Sequence, residues 1–515
     1  MLAESGLLLS PAADLRTRHR AHTRDLLPLI QVLTMPWIPT PTDGIAGSET
    51  LAAQHEAEQS ISSLLTEHLA ASADPQLQRD VHTAYLTRLL KAPLPKYFTG
   101  LDASRPWILY WSMHSLALLD GELDATAKTR LVETLKRCQN PDGGFGGGPG
   151  QISHLAPTYA AVCALAHAGP EGWRAVDRHG MYRFLLSLKQ PDGSFIMHEG
   201  GEVDVRGCYC ALTAAVLLNI LTPDLASGTA SFIASCQTYE GGLAAAAHPF
   251  SHDPSHPAPL GEAHGGYAFC AAASWSMLRV FSDPTSPCFA EAPLDLARAE
   301  LDVRALMRWS ASLQAMPIEG GGFRGRTNKL VDGCYSWWCG GLFPIVDSLL
   351  AETDDEPQPE RELFDRKSLQ EYVTLVAQAP SGGLRDKPGK PADAYHTCYN
   401  LSGDSTAQTK LRFSSSRQRQ LADSFSSPFG GTIVTEGEQQ DVDEEVEVIR
   451  GSNESDEAAE LRMREVYSRT LAWVAAEPKI VVGDPQNELL PTHPLFNITL
   501  SHVRSMMAFF YSQRS

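Results

Sequence analysis

A glycine-rich turn recurs along this chain of 515 residues and limits its possible folds more than any other feature. The copies read QNPDGGF at 139–145, QPDGSF at 190–195, QTYEGGL at 237–243, IEGGGF at 318–323 and PSGGL at 380–384. The first steps between copies are about 50 residues, which is long enough for two helices and their turns. A period of this size predicts an array of helical hairpins that pack against one another.

The segments on either side of each turn differ in polarity. An amphipathic helical pattern precedes the turn, as at 131–138 and 182–189, and a more apolar pattern follows it, as at 158–167 and 209–221. A helix in an outer ring needs one apolar stripe, whereas a helix in an inner ring is covered on nearly all sides. We therefore predict an all-α fold, an α/α barrel of six inner and six outer helices built from hairpin repeats with Gly-rich turns.

The negative charge of the chain is concentrated in two segments. The formal net charge is −19, from 42 basic and 61 acidic residues, and residues 436–460 and 352–362 carry −10 and −5 of it. We expect residues 1–50 to form a loose extension and residues 51–515 a single barrel domain. Insertions are expected at about 283–300, 352–362 and 409–480, and we expect the acidic one to be partly disordered, because it is rich in charge and poor in aromatic residues.

Composition also excludes several classes of protein. An acidic chain lacks the basic surface that nucleic acid requires. The longest apolar run, 211–221, is too short for a membrane span. We expect no secretion signal, since the N-terminal residues lack a basic start followed by a long apolar stretch. The ten cysteines form no regular framework, which favours a reducing, cytoplasmic compartment.

Unusual polar and aromatic residues stand at the start of the predicted inner helices, one set in each repeat. They are Trp107 with Trp111, His154, Arg206, His264, Asp332 with Cys334, and Tyr395 with His396. Residues at the same repeat position gather at one end of a barrel, so this register indicates a shared cavity. The alternative is that each is a helix cap or a surface group.

Three of these residues are suitable zinc ligands. Asp332, Cys334 and His396 supply a carboxylate, a thiol and an imidazole, and three protein ligands leave the fourth position open, as in catalytic zinc sites. Residues i and i+2 point apart in mid-helix but can chelate at a helix start. A buried apolar thiol is the alternative for Cys334, and Cys339 and Cys398 are rival ligands.

Cations and aromatic residues accompany the predicted metal ligands. The cations are Arg206, His264, Arg326, Lys329 and Lys390, and they suit an anionic group such as a diphosphate. The aromatic residues Trp107, Trp111, Tyr209, Tyr267, Tyr395 and Tyr399 would line a deep apolar pocket. Solvated surface charges and ordinary core packing are the respective alternatives.

Several long motifs carry a resemblance to a known family. They are LDASRPWILYW (101–111), QNPDGGFGGGPGQISHLAPTYAAV (139–162), GGEVDVRGCYC (200–210), EAHGGYAFC (262–270), GGFRGRTNKLVDGCYSWW (321–338), LRDKPGKPADAYHTCYNLSG (384–403) and LLPTHPLFN (489–497). In this order they resemble the β subunits of protein farnesyltransferases, within the protein prenyltransferase β-subunit family. The similarity runs from about residue 75 to the C-terminus, and the insertions give the chain a fungal-like character.

The resemblance implies a reaction and a metal site. Asp332, Cys334 and His396 match the family's zinc ligands, and the cysteine of a C-terminal CaaX protein, such as a Ras-like GTPase, takes the open position as a zinc-bound thiolate. A 15-carbon farnesyl group is then transferred to it from farnesyl diphosphate. His264, Arg326, Lys329 and Tyr335 match positions that hold the diphosphate, and Lys329 and Tyr335 assist catalysis. Asp386, with Lys390 nearby, matches a position linked to magnesium.

The resemblance also implies two pockets. Arg206, Tyr209, Tyr267, Cys270 and Trp338 match the wall of the isoprenoid tunnel, and the bulky pair Trp107 and Tyr399 closes it for a 15-carbon chain. The final CaaX residue, expected to be Ser, Met, Gln or Ala, would lie among Trp107, Trp111, Ala103, Ser104, His154, Ala156, Pro157 and Tyr395. Modest departures from the family pattern, at Gly207, Cys208, Arg324, Thr327 and Asn400, should affect affinity more than reaction type.

The family enzyme is an obligate heterodimer, so we expect a farnesyltransferase α subunit as partner and poor activity without it. A geranylgeranyltransferase type I β subunit is the nearest alternative function. A terpene cyclase shares the architecture but needs a D-x-D-D acid, which 441–444 only approaches. A non-catalytic helical-repeat scaffold is the alternative outside enzymes.

Overall fold

The computed structural model describes residues 39–42, 44–247, 258–288, 299–353, 362–426 and 447–513. Its helices are α1 Glu49–Ala71, α2 Arg79–Lys91, α3 Arg105–Leu118, α4 Ala125–Lys136, α5 Leu155–Ala168, α6 Pro170–Arg174, α7 Arg178–Leu188, α8 Val205–Leu217, α9 Pro223–Ala226, α10 Thr229–Ser235, α11 Gly265–Ser282, α12 Val303–Ser312, α13 Tyr335–Trp338, α14 Leu342–Thr353, α15 Arg366–Glu371, α16 Ala394–Gln408, α17 Ser415–Asp423, α18 Asp456–Thr470 and α19 Leu500–Phe510. Short 3-10 turns cover Lys96–Ser104, Pro317–Glu319 and Pro485–Asn487, and a π-helical turn, Tyr372–Ala377, extends α15.

Three small antiparallel sheets connect the helices. The strand β1 Ala246–Ala247 pairs with β2 Pro259–Leu260, β3 Leu384–Arg385 with β4 Ala392–Asp393, and β5 Leu411–Phe413 with β6 Trp473–Ala475. Leu384 lies opposite Asp393, and Leu411 lies opposite Ala475. The second sheet leads directly into the predicted ligand helix α16.

The inner helices close into a ring. The helices α3, α5, α8, α11, α13 and α16 pack in that order, and α16 then packs against α3; α14 continues the α13 position. The outer helices are α2, α4, α7, α10, α12 and α15. The inner helix α5 is buried along nearly its whole length, while the outer helix α4 buries one face. The predicted barrel of six inner and six outer helices is therefore confirmed.

The recurring turn needs glycine for a steric reason. Gly143 has φ +95°, and a Cβ there would lie 1.9 Å from the carbonyl carbon of Gly180 at the start of α7. Gly193 has φ +89°, and its Cβ would lie 2.0 Å from the carbonyl carbon of Gly228. Left-handed backbone conformation and close contact with the next outer helix both exclude a side chain. The turn therefore locks successive hairpins together.

A glutamine before three of the five turns adds a second link that the sequence pattern did not predict. Gln237 donates from Nε2 to the carbonyl of Gly241 at 2.9 Å, and its Oε1 accepts from the amide of Asp302 at 2.9 Å. Gln139 and Gln314 make the same two bonds with their own turns and following helices. The repeat thus satisfies backbone groups that would otherwise lie unpaired at helix ends.

The C-terminal segment 493–498 closes the inside of the barrel. Tyr110, Tyr159 and Tyr209 stand one turn below the start of α3, α5 and α8, and they donate to the carbonyls of Asn497, Phe496 and Leu495 at 2.8, 3.2 and 2.9 Å. Since all three tyrosines are buried, they bind this segment beneath a layer of aromatic side chains. The mouth of the barrel lies at the opposite side of that layer, where the inner helices begin.

The described parts of the insertions are ordered and meet at one place. Within 409–480, where composition indicated a solvated segment, the chain forms α17, α18 and the β5–β6 pair. Arg469 of α18 pairs with Asp283 at 3.2 Å and with Glu352, so it joins the three insertions. The acidic stretch 427–446 lies outside the described residues.

The start of the chain also contacts the barrel. Residues 1–38 and Asp43 lie outside the described residues. The amide of Thr40 donates to Glu58 at 2.9 Å, and its hydroxyl lies 3.3 Å from Glu319. The segment just before α1 is therefore held by the fold, although the sequence analysis placed it in a loose extension.

Candidate active site

The three predicted zinc ligands converge at the mouth of the barrel. Asp332 and Cys334 precede α13, with Cys334 at its N-cap, and His396 lies in the first turn of α16. One ligand atom from each lies within 4.8 Å of the others, and His396 Nε2 is 3.3 Å from Asp332 Oδ1. Among the described residues, no other group of three His, Cys, Asp or Glu side chains is this close.

The rival ligands point elsewhere. The Cys339 thiol donates to the carbonyl of Arg324 at 3.5 Å, and Cys398 is buried beside Asn497. A carboxylate, a thiol and an imidazole at a helix start suit zinc, because three protein ligands leave its fourth coordination position for another group. The donor set therefore fits the predicted metal.

Asp393 orients the histidine, a role that the sequence analysis missed. It caps α16 by accepting from the amide of His396 at 2.8 Å, and its second oxygen accepts from Nδ1 at 2.7 Å. The Nδ1 atom therefore carries a proton, and Nε2 faces Asp332, as is usual for metal-binding histidines. The Asp-x-x-His spacing at a helix start was the available signal.

The surroundings of the ligands shift their ionisation. Burial and the charge of Asp332 raise the pKa of the Cys334 thiol well above its ordinary value. Burial lowers the pKa of His396, but the hydrogen bonds that its ring donates to Asp332 and Asp393 outweigh this effect and raise the pKa to about 9. A cation would reverse the effect at the thiol, because metal coordination deprotonates it.

Tyr335 and His264 form a pair next to this cluster. His264 Nδ1 accepts from the amide of Gly266 at 3.0 Å, so the neutral ring carries its proton on Nε2, which lies 3.0 Å from the Tyr335 oxygen. Burial and the charge of Arg326 lower the pKa of His264 to about 4. His264 is therefore a neutral donor near pH 7, and the prediction that counted it among the cations is wrong.

Carboxylates that the sequence analysis did not single out accompany the remaining cations. Arg206 makes a bidentate contact with Asp204, with a shortest distance of 2.5 Å, and Arg326 pairs with Glu262. Asp386 pairs with Lys387, which was not predicted. Lys329 and Lys390 have exposed side chains. Neighbouring carboxylates therefore neutralise part of the positive charge of these cations.

Aromatic rings from several inner helices line the mouth. Trp107 stacks on Trp111 at 5.2 Å, Trp111 meets Tyr395 edge-on at 5.4 Å, and Trp338 Nε1 donates to the Tyr395 hydroxyl at 3.1 Å. These rings and Tyr267 are only partly buried. Tyr209, Cys270 and Tyr399 are fully buried below them, together with Tyr110, Tyr159 and Phe269, which the prediction omitted.

Residues predicted to receive the last substrate residue lie on two neighbouring segments. Gly147 packs so closely on Ala103 that a Cβ would lie 1.9 Å from its carbonyl oxygen, and the carbonyl of Gly147 accepts from Arg105 at 2.9 Å. This contact brings Ala103 and Ser104 beside the turn that leads to His154. His154 caps α5 by accepting from the amide of Ala156 at 3.0 Å, one residue before Pro157.

Comparison with known proteins agrees with this geometry. Residues 77–498 match the model of the prenyltransferase alpha-alpha toroid domain. The protein farnesyltransferase subunit beta of Pyricularia oryzae is 42% identical over 65% of this chain and 64% of its own length. That of Pisum sativum is 34% identical over 79% of this chain and 89% of its own length.

The chain belongs to the protein farnesyltransferase β-subunit family. The geranylgeranyl transferase type-1 subunit beta of Arabidopsis thaliana is more distant, at 26% identity over 64% of this chain and 85% of its own length. Farnesyltransferase β subunits are subunits of prenyltransferase enzymes. Membership of this family excludes the alternatives of a non-catalytic scaffold and a terpene cyclase. None of the helices described is both long and apolar enough to cross a lipid bilayer.

Proposed function

We propose that this chain is the catalytic β subunit of a protein farnesyltransferase, which transfers a farnesyl group from farnesyl diphosphate to the cysteine of a CaaX protein. The observation that carries the proposal is the junction at Cys334 and Tyr335. These consecutive residues belong to the Asp332–Cys334–His396 cluster and to the Tyr335–His264 pair respectively. A site for a nucleophilic thiol therefore adjoins a site for an anionic leaving group.

Asp332, Cys334 and His396 would hold zinc, with Asp393 fixing the ring of His396. When bound, zinc lowers the pKa of a substrate thiol so that it is a thiolate at neutral pH. The ring stays in place through its 2.7 Å bond from Nδ1 to Asp393. No residue of this chain then needs to act as a general base toward the substrate thiol.

Tyr335, His264, Arg326 and Lys329 would stabilise the diphosphate as it leaves. Because His264 Nε2 already donates to the Tyr335 oxygen, the hydroxyl proton of Tyr335 is available for an anion. Fixed donors aimed at a developing negative charge are usually the largest electrostatic contribution to catalysis. Asp386 would hold magnesium on the diphosphate, in competition with Lys387.

The packing of rings around Trp107 supports the shorter donor. The indole of Trp107 lies over Tyr110 and Tyr159, with ring centroids 6.1 and 5.6 Å apart, and both tyrosines are bonded to the C-terminal segment. With Trp107 at the end of the tunnel, as the family resemblance implies for a fifteen-carbon donor, a longer chain would have to displace this packed layer. The rim formed by Trp111, Tyr395, Ser104 and Pro157 would then receive the last residue of the CaaX sequence.

An α subunit would cover the rim. Large apolar side chains are exposed in the segments that precede inner helices, namely Leu101, Ile152, Tyr239, Leu260 and Met316. Exposed apolar side chains that gather in one patch are typical of a protein interface. All ten cysteines are free and buried, which agrees with a reducing compartment such as the cytoplasm.

Turnover with two donors and one CaaX peptide tests the proposal. The chain, co-expressed with a farnesyltransferase α subunit, should use farnesyl diphosphate with higher kcat/KM than geranylgeranyl diphosphate. A preference for the longer donor would assign it to the type I geranylgeranyltransferases instead. Absence of turnover with both donors would contradict the assignment as a catalytic subunit.

A further inference from the structure

Asn400 contacts the backbone of the segments that carry the predicted zinc ligands, without itself being a ligand. It is fully buried on α16, one turn after His396. Its Nδ2 donates to the carbonyl of His396 at 2.8 Å and to the carbonyl of Arg385 at 3.2 Å. One side chain thus connects the helix that carries His396 with the strand that leads to Asp386.

The same side chain packs against the loop that carries the other two ligands. A Cβ at Gly333, between Asp332 and Cys334, would lie 2.3 Å from Asn400 Nδ2. The amide of Gly333 also donates to the carbonyl of Asp386 at 2.7 Å. The backbone segments bearing all three ligands and Asp386 therefore meet at the Asn400 amide.

The orientation of this amide is determined by its neighbours. Both N–H groups of Nδ2 point at carbonyl oxygens, so exchanging Oδ1 and Nδ2 would place an acceptor against two acceptors. Oδ1 is buried and makes no hydrogen bond. A buried acceptor without a partner is unfavourable, so the two donated bonds and the contact with Gly333 are what this residue contributes.

We propose that Asn400 is a positioning residue that holds His396 in register with the Asp332–Cys334 loop and thereby sets the affinity of the site for zinc. The inference rests on the zinc site of the proposed function. Residues that orient metal ligands typically change metal affinity by about 10- to 100-fold when they are replaced. Asn400 does so through the backbone, whereas Asp393 does so through the imidazole.

The test measures zinc affinity by competition with a chromogenic chelator, using the full chain co-expressed with an α subunit. Asn400→Leu keeps the volume and removes both donors, so zinc should bind about 10- to 100-fold more weakly. Asn487→Leu is the matched control. Asn487 is equally buried and donates from Nδ2 to the carbonyls of Pro75 and Val482, at 2.9 and 2.8 Å, but it belongs to the Pro485–Asn487 turn.

A loss of fold stability alone would lower the melting temperature of both variants and leave zinc affinity unchanged, and that result would overturn the inference. Asn400→Asp provides a second variant of nearly the same shape. Its added negative charge would strengthen cation binding by itself, so weaker binding supports positioning and unchanged or tighter binding contradicts it. If the unsubstituted chain bound no zinc, the proposed function itself would be wrong. That outcome differs from zinc binding that does not depend on Asn400, which would contradict this inference only.

Discussion

Arg469 provides a quantitative test of whether the insertions belong to the fold. Its guanidinium pairs with Asp283 and Glu352, and it lies 4.9 Å from the ring centroid of Phe413. The side chains of Arg469, Asp283 and Glu352 are only 12%, 11% and 22% exposed. Replacing Arg469 with Met removes the charge that joins the three insertions.

The expected loss of stability depends on how well Asp283 and Glu352 stay paired after Arg469 is replaced. Removing one partner of a buried ion pair costs about 3–5 kcal/mol when the other charge is left alone. Here Arg279 still contacts Glu352 at 2.8 Å and Asp283 at 3.7 Å, so part of the charge stays compensated. We therefore expect Arg469→Met to lower the free energy of unfolding by about 2–3 kcal/mol.

Urea unfolding of the full chain measures this change. The control is Lys136→Met, which removes the exposed pair Lys136–Glu133, 48% and 49% exposed, and should change stability by less than about 0.5 kcal/mol. In the double variant with Arg279→Met, the two losses should not add, because the arginines share the same acids. If Arg469→Met cost no more than the control, the insertions would not be integral to the barrel.

Three further predictions concern single side chains. His493 is buried and has a pKa of about 4, below its unfolded value of about 6.5. The unfolded chain therefore binds more protons between these values. The contribution of His493 to stability should be fully present above about pH 6.5 and fall by about 1.4 kcal/mol per pH unit as the pH decreases toward about 4. In a pH series of melting curves, His493→Gln should flatten this part. Trp107→Thr should shift the ratio of the kcat/KM values for the two donors toward geranylgeranyl diphosphate, since it removes the indole above Tyr110 and Tyr159. An unchanged ratio would contradict the role of Trp107 in limiting donor length. Asp393→Ala should weaken zinc binding by about 10- to 100-fold in chelator competition, and equal affinity would exclude its orienting role.

The barrel was predictable because short sequence motifs determine its repeat. Glycine is required at a position such as Gly143 because of its positive φ and because the next outer helix lies too close for a side chain. The same requirement returns in each repeat, so the glycines indicate the hairpins in the sequence. The contact of Arg469 with Asp283 and Glu352 was not predictable. These residues lie far apart in the sequence, and the acidic composition of the insertion that carries Arg469 indicated a solvated segment.

The sequence predicted which residues gather at the candidate site better than it predicted their charge states. The motifs included the three candidate metal ligands and the aromatic residues of the mouth, but the neutral state of His264 depends on burial and on Arg326, which only the fold brings near it. Tyr110, Tyr159 and Tyr209 could have been recognised, since they recur at separations of 49 and 50 residues, the period of the repeat. The partner of Arg326, Glu262, gave no such signal.

The zinc content of the purified protein tests the central claim most directly. Metal analysis of the chain with its α subunit should give about one zinc per chain, which Cys334→Ala and His396→Ala should each abolish together with farnesyl transfer. Cys339→Ala is the control, because this neighbouring thiol points toward the carbonyl of Arg324 and should keep the metal. A metal-free protein that still transfers farnesyl groups would contradict the account.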